Sequence, residues 1–325
     1  MLRRRATSED LPPLRLHALR ELRLAEPSAE GRPAHVAAAS GVVRRGDFVY
    51  VIGDDELFLA VFRLSAADEP GTLRRALAGD LPLDDDSRAG AKPDLEALTV
   101  LPPFGGHPYG ALFGLGSGSG PGRDRGFVWA LESDGSLRGT ARQVDLAPLY
   151  RRLSDRLPTL NIEGASVIGD RLWLLQRGGG EHETAGVVAE LALGQVMDSL
   201  KNDLRLDAHE LTALRAYDLG TLGGVALTFS DATPLADELL VFTASAEADA
   251  GGILGSVVGT LDRSGEVKRL RTIDRRYKVE GVHASIDTGV VDLLFVCDQD
   301  DPKTPSPLLS AAMPVDGSLE RDDER

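Results

Sequence analysis

Five residues with oxygen-bearing side chains recur along this chain of 325 residues, each directly before an apolar, strand-like segment. They are Ser40, Glu96, Glu163, Ser230 and Glu280. Ca²⁺ accepts carboxylate and hydroxyl oxygens in irregular coordination, whereas Mg²⁺ requires a stricter octahedron. Zinc is disfavoured because the set contains neither His nor Cys. If the fold brings these side chains together, they predict a Ca²⁺ site, with Mg²⁺ as the weaker candidate.

The five positions belong to a sequence repeat with a period of roughly 50 to 67 residues. In four copies an Asp follows in the same place: Asp47, Asp170, Asp237 and Asp287. The copy at Glu96 is looser, because Pro103 replaces the Asp and an insertion follows. Further strand-like runs come after each motif, and the turns at 133–136 and 263–266 carry the Asp-Gly and Ser-Gly steps typical of hairpins. Four strands in each of five repeats predict an all-β, five-bladed β-propeller.

The last repeat lacks one strand, and the N-terminal segment LRLHALREL, from Leu14, offers it. Pairing with the final blade would close the ring and cover an exposed sheet edge, although an amphipathic helix is the alternative interpretation. We expect one propeller domain over 14–317, an irregular or disordered N-terminus over 1–13 and an acidic tail over 318–325. The segment LGQVMDSLKNDL, from Leu193, predicts an inserted helix because its apolar residues have helical spacing.

Composition restricts the classes of function. The net charge of −15 argues against nucleic-acid and anionic-membrane partners, which require clustered cations. No apolar run is long enough to cross a bilayer. The start MLRRRATSEDLPPL has no apolar stretch or cleavage site behind its basic residues, which argues against secretion. The sequence has a single cysteine, Cys297, which excludes an internal disulfide and favours a reducing, cytoplasmic location.

The predicted propeller gives the five oxygen-bearing residues a common position. The innermost strand of each blade lines the central channel, so residues at one phase of the repeat form a ring around the axis. Carboxylates that converge in a narrow channel repel one another unless a cation neutralises them. The alternative is that these residues only cap strands or bind ordered water.

Short phrases around the five positions resemble known propellers: Glu-Gly before apolar residues at Glu163 and Glu280, Glu96-Ala97, and the serines at 40 and 230. They are similar to the calcium-activated apyrases, five-bladed propellers that hold a central Ca²⁺ with a comparable Ser/Glu/Glu/Ser/Glu order. They also resemble the wider phytase-like and esterase-like propeller superfamily and an uncharacterised bacterial propeller family. The resemblance extends from about Ser40 to Val296 and implies the fold and a calcium site. The loops contain no apyrase-specific catalytic signature, so nucleotide hydrolysis does not follow from it.

Loops beside the ring supply candidate ligand-binding residues. The segment GSGSGPGRDRG, from Gly116, combines free amides with hydroxyls and guanidinium groups, which can bind phosphate or carboxylate, unless it is only a flexible insertion. Arg177 ends an apolar strand, where it could instead pair with a ring Glu. The candidate ligand-binding residues are Ser117, Ser119, Arg123, Arg125, Arg177 and Lys278.

The same loops supply candidate general bases for catalysis: Asp54, Glu181, His182 and Asp298. Lys92, Asp94 and Asn161 precede the motif strands, and His283 is interpreted as a packing residue or a neighbour of the ring. Together these residues predict a divalent-cation-dependent hydrolase of a small anionic compound, a phosphoester or phosphoanhydride, at the channel mouth. The alternatives are a non-catalytic propeller whose structural Ca²⁺ supports binding of a ligand or protein, and a metal-dependent lactonase or esterase.

Overall fold

A computed structural model of the chain describes residues 3–5, 12–178, 186–236, 238–247 and 253–314. These residues form five blades of a β-propeller, each a sheet of four antiparallel strands. The predicted fold class is therefore confirmed. Two short strands precede the first blade, β1 (Arg3–Arg5) and β2 (His17–Glu21).

Within the first three blades the strands follow chain order from the channel outward. Blade 1 contains β3 (Ala39–Arg45), β4 (Phe48–Gly53), β5 (Phe58–Arg63) and β6 (Thr72–Arg75). Blade 2 contains β7 (Leu95–Leu101), β8 (Ala111–Gly116), β9 (Arg125–Ala130) and β10 (Arg142–Asp145). Blade 3 contains β11 (Ile162–Ile168), β12 (Arg171–Gln176), β13 (Gly186–Ala192) and β14 (Leu211–Asp218).

A small hairpin leads from the third blade to the last two: β15 (Thr221–Leu222) and β16 (Val225–Ala226). Blade 4 contains β17 (Thr228–Ala236), β18 (Leu239–Glu247), β19 (Ile253–Asp262) and β20 (Val267–Thr272). Blade 5 contains β21 (Val279–Asp287), β22 (Val290–Cys297), β23 (Pro307–Pro314) and, as its outermost strand, β2.

The N-terminal strand closes the ring, as the alternating sequence predicts. β2 pairs antiparallel with β23, with His17 opposite Ser310. The pairing covers an edge of β23 that would otherwise expose its backbone hydrogen-bonding groups. The helical interpretation of this segment is wrong. Further upstream, β1 adds a parallel edge strand to β14, although it belongs to the segment 1–13 that the sequence placed outside the propeller.

The five inner strands pack side by side around the axis, in the order β3, β7, β11, β17 and β21, and β21 returns to β3. Glycine is needed where the backbones approach most closely. A Cβ on Gly164 would lie 2.8 Å from the Cα of Asp231 on the neighbouring blade. The contact leaves no room for a side chain, so the glycine after the motif residue lets two inner strands meet.

The hydrophobic core lies between the blades, where the sheets pack face to face. Between blades 3 and 4, for example, Phe229 packs edge-on against Tyr217 and Phe242, with ring centroids 5.8 and 5.3 Å apart. The Asp of the repeat lies at the hairpin that leaves the inner strand. The carboxylate of Asp47 there accepts hydrogen bonds from Ser65 and Arg63. Asp237 lies outside the described residues.

Helices occur only in connections of the described chain: α1 (Asp85–Ala91), α2 (Ala147–Ser154), α3 (Leu193–Asn202) and a 3₁₀ turn (Ala208–Glu210). The predicted helix from Leu193 is confirmed, and it buries the apolar side chains Leu193, Val196 and Leu200. Among the described helices, none has the length and apolar character needed to cross a membrane.

Candidate functional site

The five oxygen-bearing residues occupy the same structural position in their blades. In each blade the pairing between the inner and second strands skips one residue, which forms a β-bulge. The skipped residues are Ser40, Glu96, Glu163, Ser230 and Glu280. A bulge re-aims the side chain that it carries. Because all five bulges lie near the start of an inner strand, these residues share one end of the channel.

We call this end the carboxylate mouth, and it includes four further carboxyl groups from adjacent loops and strand ends. These are Asp54, Asp94, Glu247 and Asp298. Their charges act on one another or on the ring glutamates: Asp94 and Glu247 raise the pKa of Glu163, and Asp298 raises that of Asp54. The mouth is therefore one electrostatic unit.

Two ring glutamates are paired with cations. Arg177 donates to Glu163 Oε1 at 3.1 Å and also contacts Glu247 at 2.5 Å, while Asn161 donates to the same Glu163 oxygen. Burial nevertheless raises the pKa of Glu163 to about 7, against the opposing charge of Arg177. Lys278 lies 3.4 Å from Glu280, whose pKa is raised to about 8 by burial and then by Glu163. Both groups can hold a proton near neutral pH.

Glu96 is the ring glutamate without a cation partner among the described residues. Its carboxylate lies in a cluster with Asp54 and Asp94, in which one oxygen of each residue is within 4.8 Å of the others. Protein atoms surround Glu96 although part of its surface is exposed, so burial raises its pKa well above the usual value, and the charge of Glu163 adds to this. Asp54 Oδ1 is buried and makes no hydrogen bond within the described structure.

The glycine-rich loop folds onto Asp94. Ser119 and Arg123 donate to Asp94 Oδ2, each at 2.9 Å, and Ser117 donates to the same oxygen. Lys92 lies 2.9 Å from Asp94 Oδ1 and also contacts Asp54. Burial alone would raise the pKa of Asp94, but these donors and charges outweigh it and lower the pKa. The loop therefore supports a carboxylate of the mouth.

The other candidate ligand-binding residues divide between the mouth and the surface. Lys278 Nζ lies 3.2 Å from Asp298 and 3.0 Å from Asp300, in addition to its contact with Glu280. Arg125 instead donates to the carbonyl oxygens of Gly122 and Ala78, and it forms no ion pair with a described carboxylate. Of this set, Arg125 is thus the residue that the structure does not bring to the carboxylates.

Both ring serines hydrogen bond to a neighbouring strand. Ser40 donates to the carbonyl oxygen of Leu95 at 2.5 Å, and Ser230 donates to Ser245 Oγ at 3.1 Å. Each hydroxyl retains lone pairs that could still accept or bind a cation.

The charges at the mouth do not balance. Seven carboxyl groups meet four cations, Lys92, Arg123, Arg177 and Lys278. If all were ionised, the mouth would carry three excess negative charges in a poorly solvated place. The raised pKa values of Glu163 and Glu280 mean that protons can supply part of the difference near neutral pH.

Comparison with known proteins adds the family and supports the fold. Residues 35–313 match the family of unknown function DUF6929. The chain belongs to this family. No curated protein matches the sequence.

Several solved structures resemble this DUF6929 protein in fold. The catalytic domain of the GH62 alpha-L-arabinofuranosidase from Coprinopsis cinerea is 11% identical, with a TM-score of 0.51 over 93% of this chain and 98% of that one. A luciferin-regenerating enzyme is 11% identical, with a TM-score of 0.41 over 86% and 92%. An exo-beta-1,3-galactanase from Phanerochaete chrysosporium is 11% identical, with a TM-score of 0.45 over 93% of this chain and 65% of that one. At such identities the likeness concerns the fold alone.

Sequence reasoning left several residues of the mouth out of its candidate sites. From the sequence, Lys92, Asp94 and Asn161 are recognisable only as residues before motif strands, and Glu247 is not singled out. Their positions close to the ends of predicted strands were the signal that could have identified them as residues of the mouth. Glu181 and His182, two of the predicted bases, lie outside the described residues.

Asp231 is a further buried carboxyl group that sequence reasoning did not single out. Its carboxylate accepts hydrogen bonds from the backbone N–H of Ala232 at 2.7 Å and of Val282, on the next blade, at 2.8 Å. Burial raises its pKa well above the usual value. Asp231 therefore joins blades 4 and 5 just beyond the mouth.

Proposed function

We propose that the carboxylate mouth binds a divalent cation, with Ca²⁺ favoured over Mg²⁺, and that the protein is a cation-dependent hydrolase. The proposed substrate is a small anionic compound, a phosphoester or phosphoanhydride. The observation that carries the proposal is the cluster of Asp54, Asp94 and Glu96, whose carboxylate oxygens lie within 4.8 Å of one another.

The cluster fits a hard cation in spacing and chemistry. Two oxygens bound to one Ca²⁺ at about 2.3–2.6 Å are at most about 5 Å apart. All three donors are carboxylates, without His or Cys, which favours Ca²⁺ over zinc. Asp54 Oδ1 is buried and unpaired, a costly arrangement that a cation would relieve. Lys92 now contacts Asp54 and Asp94, so a cation would have to displace its ammonium group.

The residues around the cluster can bind a substrate and move protons. A bound divalent cation would polarise a phosphoryl oxygen and lower the pKa of a water molecule. Glu163, with a pKa of about 7, is suited to take or give a proton at neutral pH. Asp298 remains a candidate base, and burial raises its pKa. Asp54, the other described candidate base, would instead be a ligand of the proposed cation.

One observation favours the second candidate function, a non-catalytic propeller whose cation is structural. Arg123, Arg177 and Lys278 are already engaged by carboxylates of the mouth. A phosphate would have to compete with these internal partners. In that case the cation would complete the charge balance and stabilise the junction of the blades, while the mouth would bind a ligand or protein without turnover.

The experiment combines metal titration with a substrate panel. Protein freed of metal with a chelator is titrated with Ca²⁺, Mg²⁺ and Mn²⁺ by calorimetry. It is then assayed for hydrolysis of phosphoesters, nucleoside diphosphates and lactones. Glu96→Gln is the test variant, because Glu96 has no cation partner among the described residues. Asp300→Asn is the matched control, since Asp300 is an exposed carboxylate beside Lys278 and outside the cluster.

Cation-dependent turnover that Glu96→Gln abolishes and Asp300→Asn retains would support the hydrolase. Turnover of lactones alone would favour the alternative of a metal-dependent lactonase or esterase. Cation binding without turnover would favour the structural role. If no divalent cation binds the wild-type protein, both candidate functions fail.

A further inference from the structure

The opposite end of the channel contains a cavity of about 430 Å³. We call it the arginine cavity, and its lining includes Arg44, Arg45, Thr99, Thr233 and His283. Thr99, Thr233 and His283 each come three residues after the ring residue of their blade, which is roughly 10 Å further along the strand. The cavity is therefore distinct from the carboxylate mouth.

Polar groups in this part of the channel lack partners. Thr99 is 1% exposed, and its hydroxyl makes no hydrogen bond with any described residue. His283 Nδ1 and the hydroxyl of Ser166, at the equivalent place in blade 3, are also buried atoms that make no hydrogen bond with a described residue. Native proteins pair nearly all buried polar groups, because an unpaired one costs free energy. Such a cluster indicates a missing hydrogen-bonding partner.

The arginines place positive charge beside His283, although the formal charges of the whole lining, two arginines and two aspartates, balance. Neither Arg44 nor Arg45 forms an ion pair within the described structure, and Arg44 Nε donates only to the carbonyl oxygen of Gly46, at 3.0 Å. Burial, and then the charges of both arginines, lower the pKa of His283 to about 4. Asp287 and Asp292 also line the cavity, at its exposed rim.

We propose that the arginine cavity binds the anionic group, phosphate or carboxylate, of a small molecule. Arg44 and Arg45 provide charge-assisted hydrogen bonds, which are the strong kind for such groups. Thr99 and the neutral imidazole of His283 supply the remaining hydrogen bonds. The volume falls in the range of small-molecule sites, about 300–1,000 Å³, so it suits a whole metabolite rather than a lone ion. This site does not depend on the function proposed for the mouth.

The test measures binding of inorganic phosphate, glycerol phosphate and succinate by calorimetry at low salt, with glycerol as the uncharged probe. Arg45→Ala removes an exposed charge and should weaken binding about 10- to 100-fold. Thr99→Val removes the unpaired hydroxyl at constant shape and should weaken binding about 3- to 10-fold. The melting temperature of ligand-free Thr99→Val should be unchanged or higher, because the hydroxyl has no partner to lose.

Arg74→Ala is the matched control, since Arg74 is an exposed arginine that lines a different cavity of about 520 Å³. It should leave binding unchanged. Binding of phosphate compounds alone, or of succinate alone, would support the proposal and identify the class of anion. The proposal is overturned if no anion binds, if glycerol binds equally well, if Arg45→Ala and Thr99→Val bind like the wild type, or if Arg74→Ala weakens binding as much as Arg45→Ala.

Discussion

The two ends of the channel are built from the same five strands and differ in their electrostatics. At the carboxylate mouth, buried acids outnumber the cations that meet them, and every cation there is paired. At the arginine cavity, two arginines have no ion pair with described residues and two polar groups lack partners. A few residues along a strand thus separate an excess of negative charge from a cavity whose arginines have no ion pair with a described residue.

The difference arises because the repeat keeps one kind of residue at the bulge but different residues further along the inner strand. At the bulge, every blade contributes a residue of one type, a Ser or a Glu with an oxygen-bearing side chain. Three residues later the blades differ, and the equivalent positions hold Val43, Thr99, Ser166, Thr233 and His283. Symmetric positions create a ring of oxygen-bearing side chains at one end of the channel, and of these Glu96 joins the cluster with Asp54 and Asp94. At these positions one apolar and several different polar side chains alternate around the axis, and this irregular lining suits recognition of a single group.

The largest expected effect comes from removing a cation at the mouth. Arg177→Met leaves Glu163 and Glu247 without their positive partner. Removing one partner of a buried ion pair strands the other, so we expect a loss of about 3 kcal/mol in the free energy of unfolding. Arg45→Met, at the other end, should change it by less than about 0.5 kcal/mol. Urea unfolding of the chelated protein measures both.

A double variant checks the cause. Glu163→Gln in the Arg177→Met background removes the stranded charge and should restore part of the lost stability. Equal losses in Arg177→Met and Arg45→Met would show that the two ends do not differ as described.

The second prediction concerns how the mouth responds to pH. Glutamate ordinarily titrates near 4.5, whereas the pKa values of Glu163 and Glu280 are about 7 and about 8 in the folded protein. Between these values the unfolded chain has lost protons that the folded chain still holds, so stability falls as pH rises. Each group contributes at most about 1.4 kcal/mol per pH unit.

Urea midpoints from pH 5 to pH 8, measured with a chelator present, should therefore decrease with increasing pH. Glu280→Gln should flatten the decrease, most clearly between pH 7 and pH 8. Midpoints that rise over this interval would contradict the raised pKa values and the excess charge inferred for the mouth.

Much of the fold could be predicted because short sequence patterns indicate the elements of each repeat. The spacing of Ser40, Glu163 and Glu280 gave the blades, and the alternation after Leu14 gave the closing strand. The apolar spacing after Leu193 gave α3. The helices α1 and α2 were missed although α1 has a recognisable N-cap, Asp84, which accepts from the backbone N–H of Ser87. Helices of seven and eight residues are too short to show a clear period.

The site was less predictable because its contacts depend on loop conformation. The sequence placed Arg123 and Arg177 near the mouth. It left open whether the loop of Arg123 is only a flexible insertion and whether Arg177 pairs with a ring Glu. The structure pairs them with Asp94 and Glu163. Asp231 illustrates the same limit, since no local pattern shows that its carboxylate reaches the backbone of Val282 on another blade. Pairing across blades is decided by packing, which short motifs do not encode.

The smallest expected effect concerns the pH dependence of stability that His283 contributes at the arginine cavity. Histidine ordinarily titrates near 6.5, but Arg44, Arg45 and burial hold the pKa of His283 at about 4. Below pH 6.5 the unfolded chain takes up a proton that the folded chain refuses, so this group stabilises the fold above pH 6.5 and less as pH falls toward 4. The stability of the wild type minus that of His283→Gln should therefore decrease on acidification, by at most about 1.4 kcal/mol per pH unit. The acids of the mouth are common to both chains and cancel in this difference.

A bound anion would favour protonated His283 and raise its pKa, so inorganic phosphate should weaken the pH dependence of the difference. A difference that does not vary with pH would contradict the lowered pKa of His283, and with it both the burial of the imidazole and the influence of the two arginines.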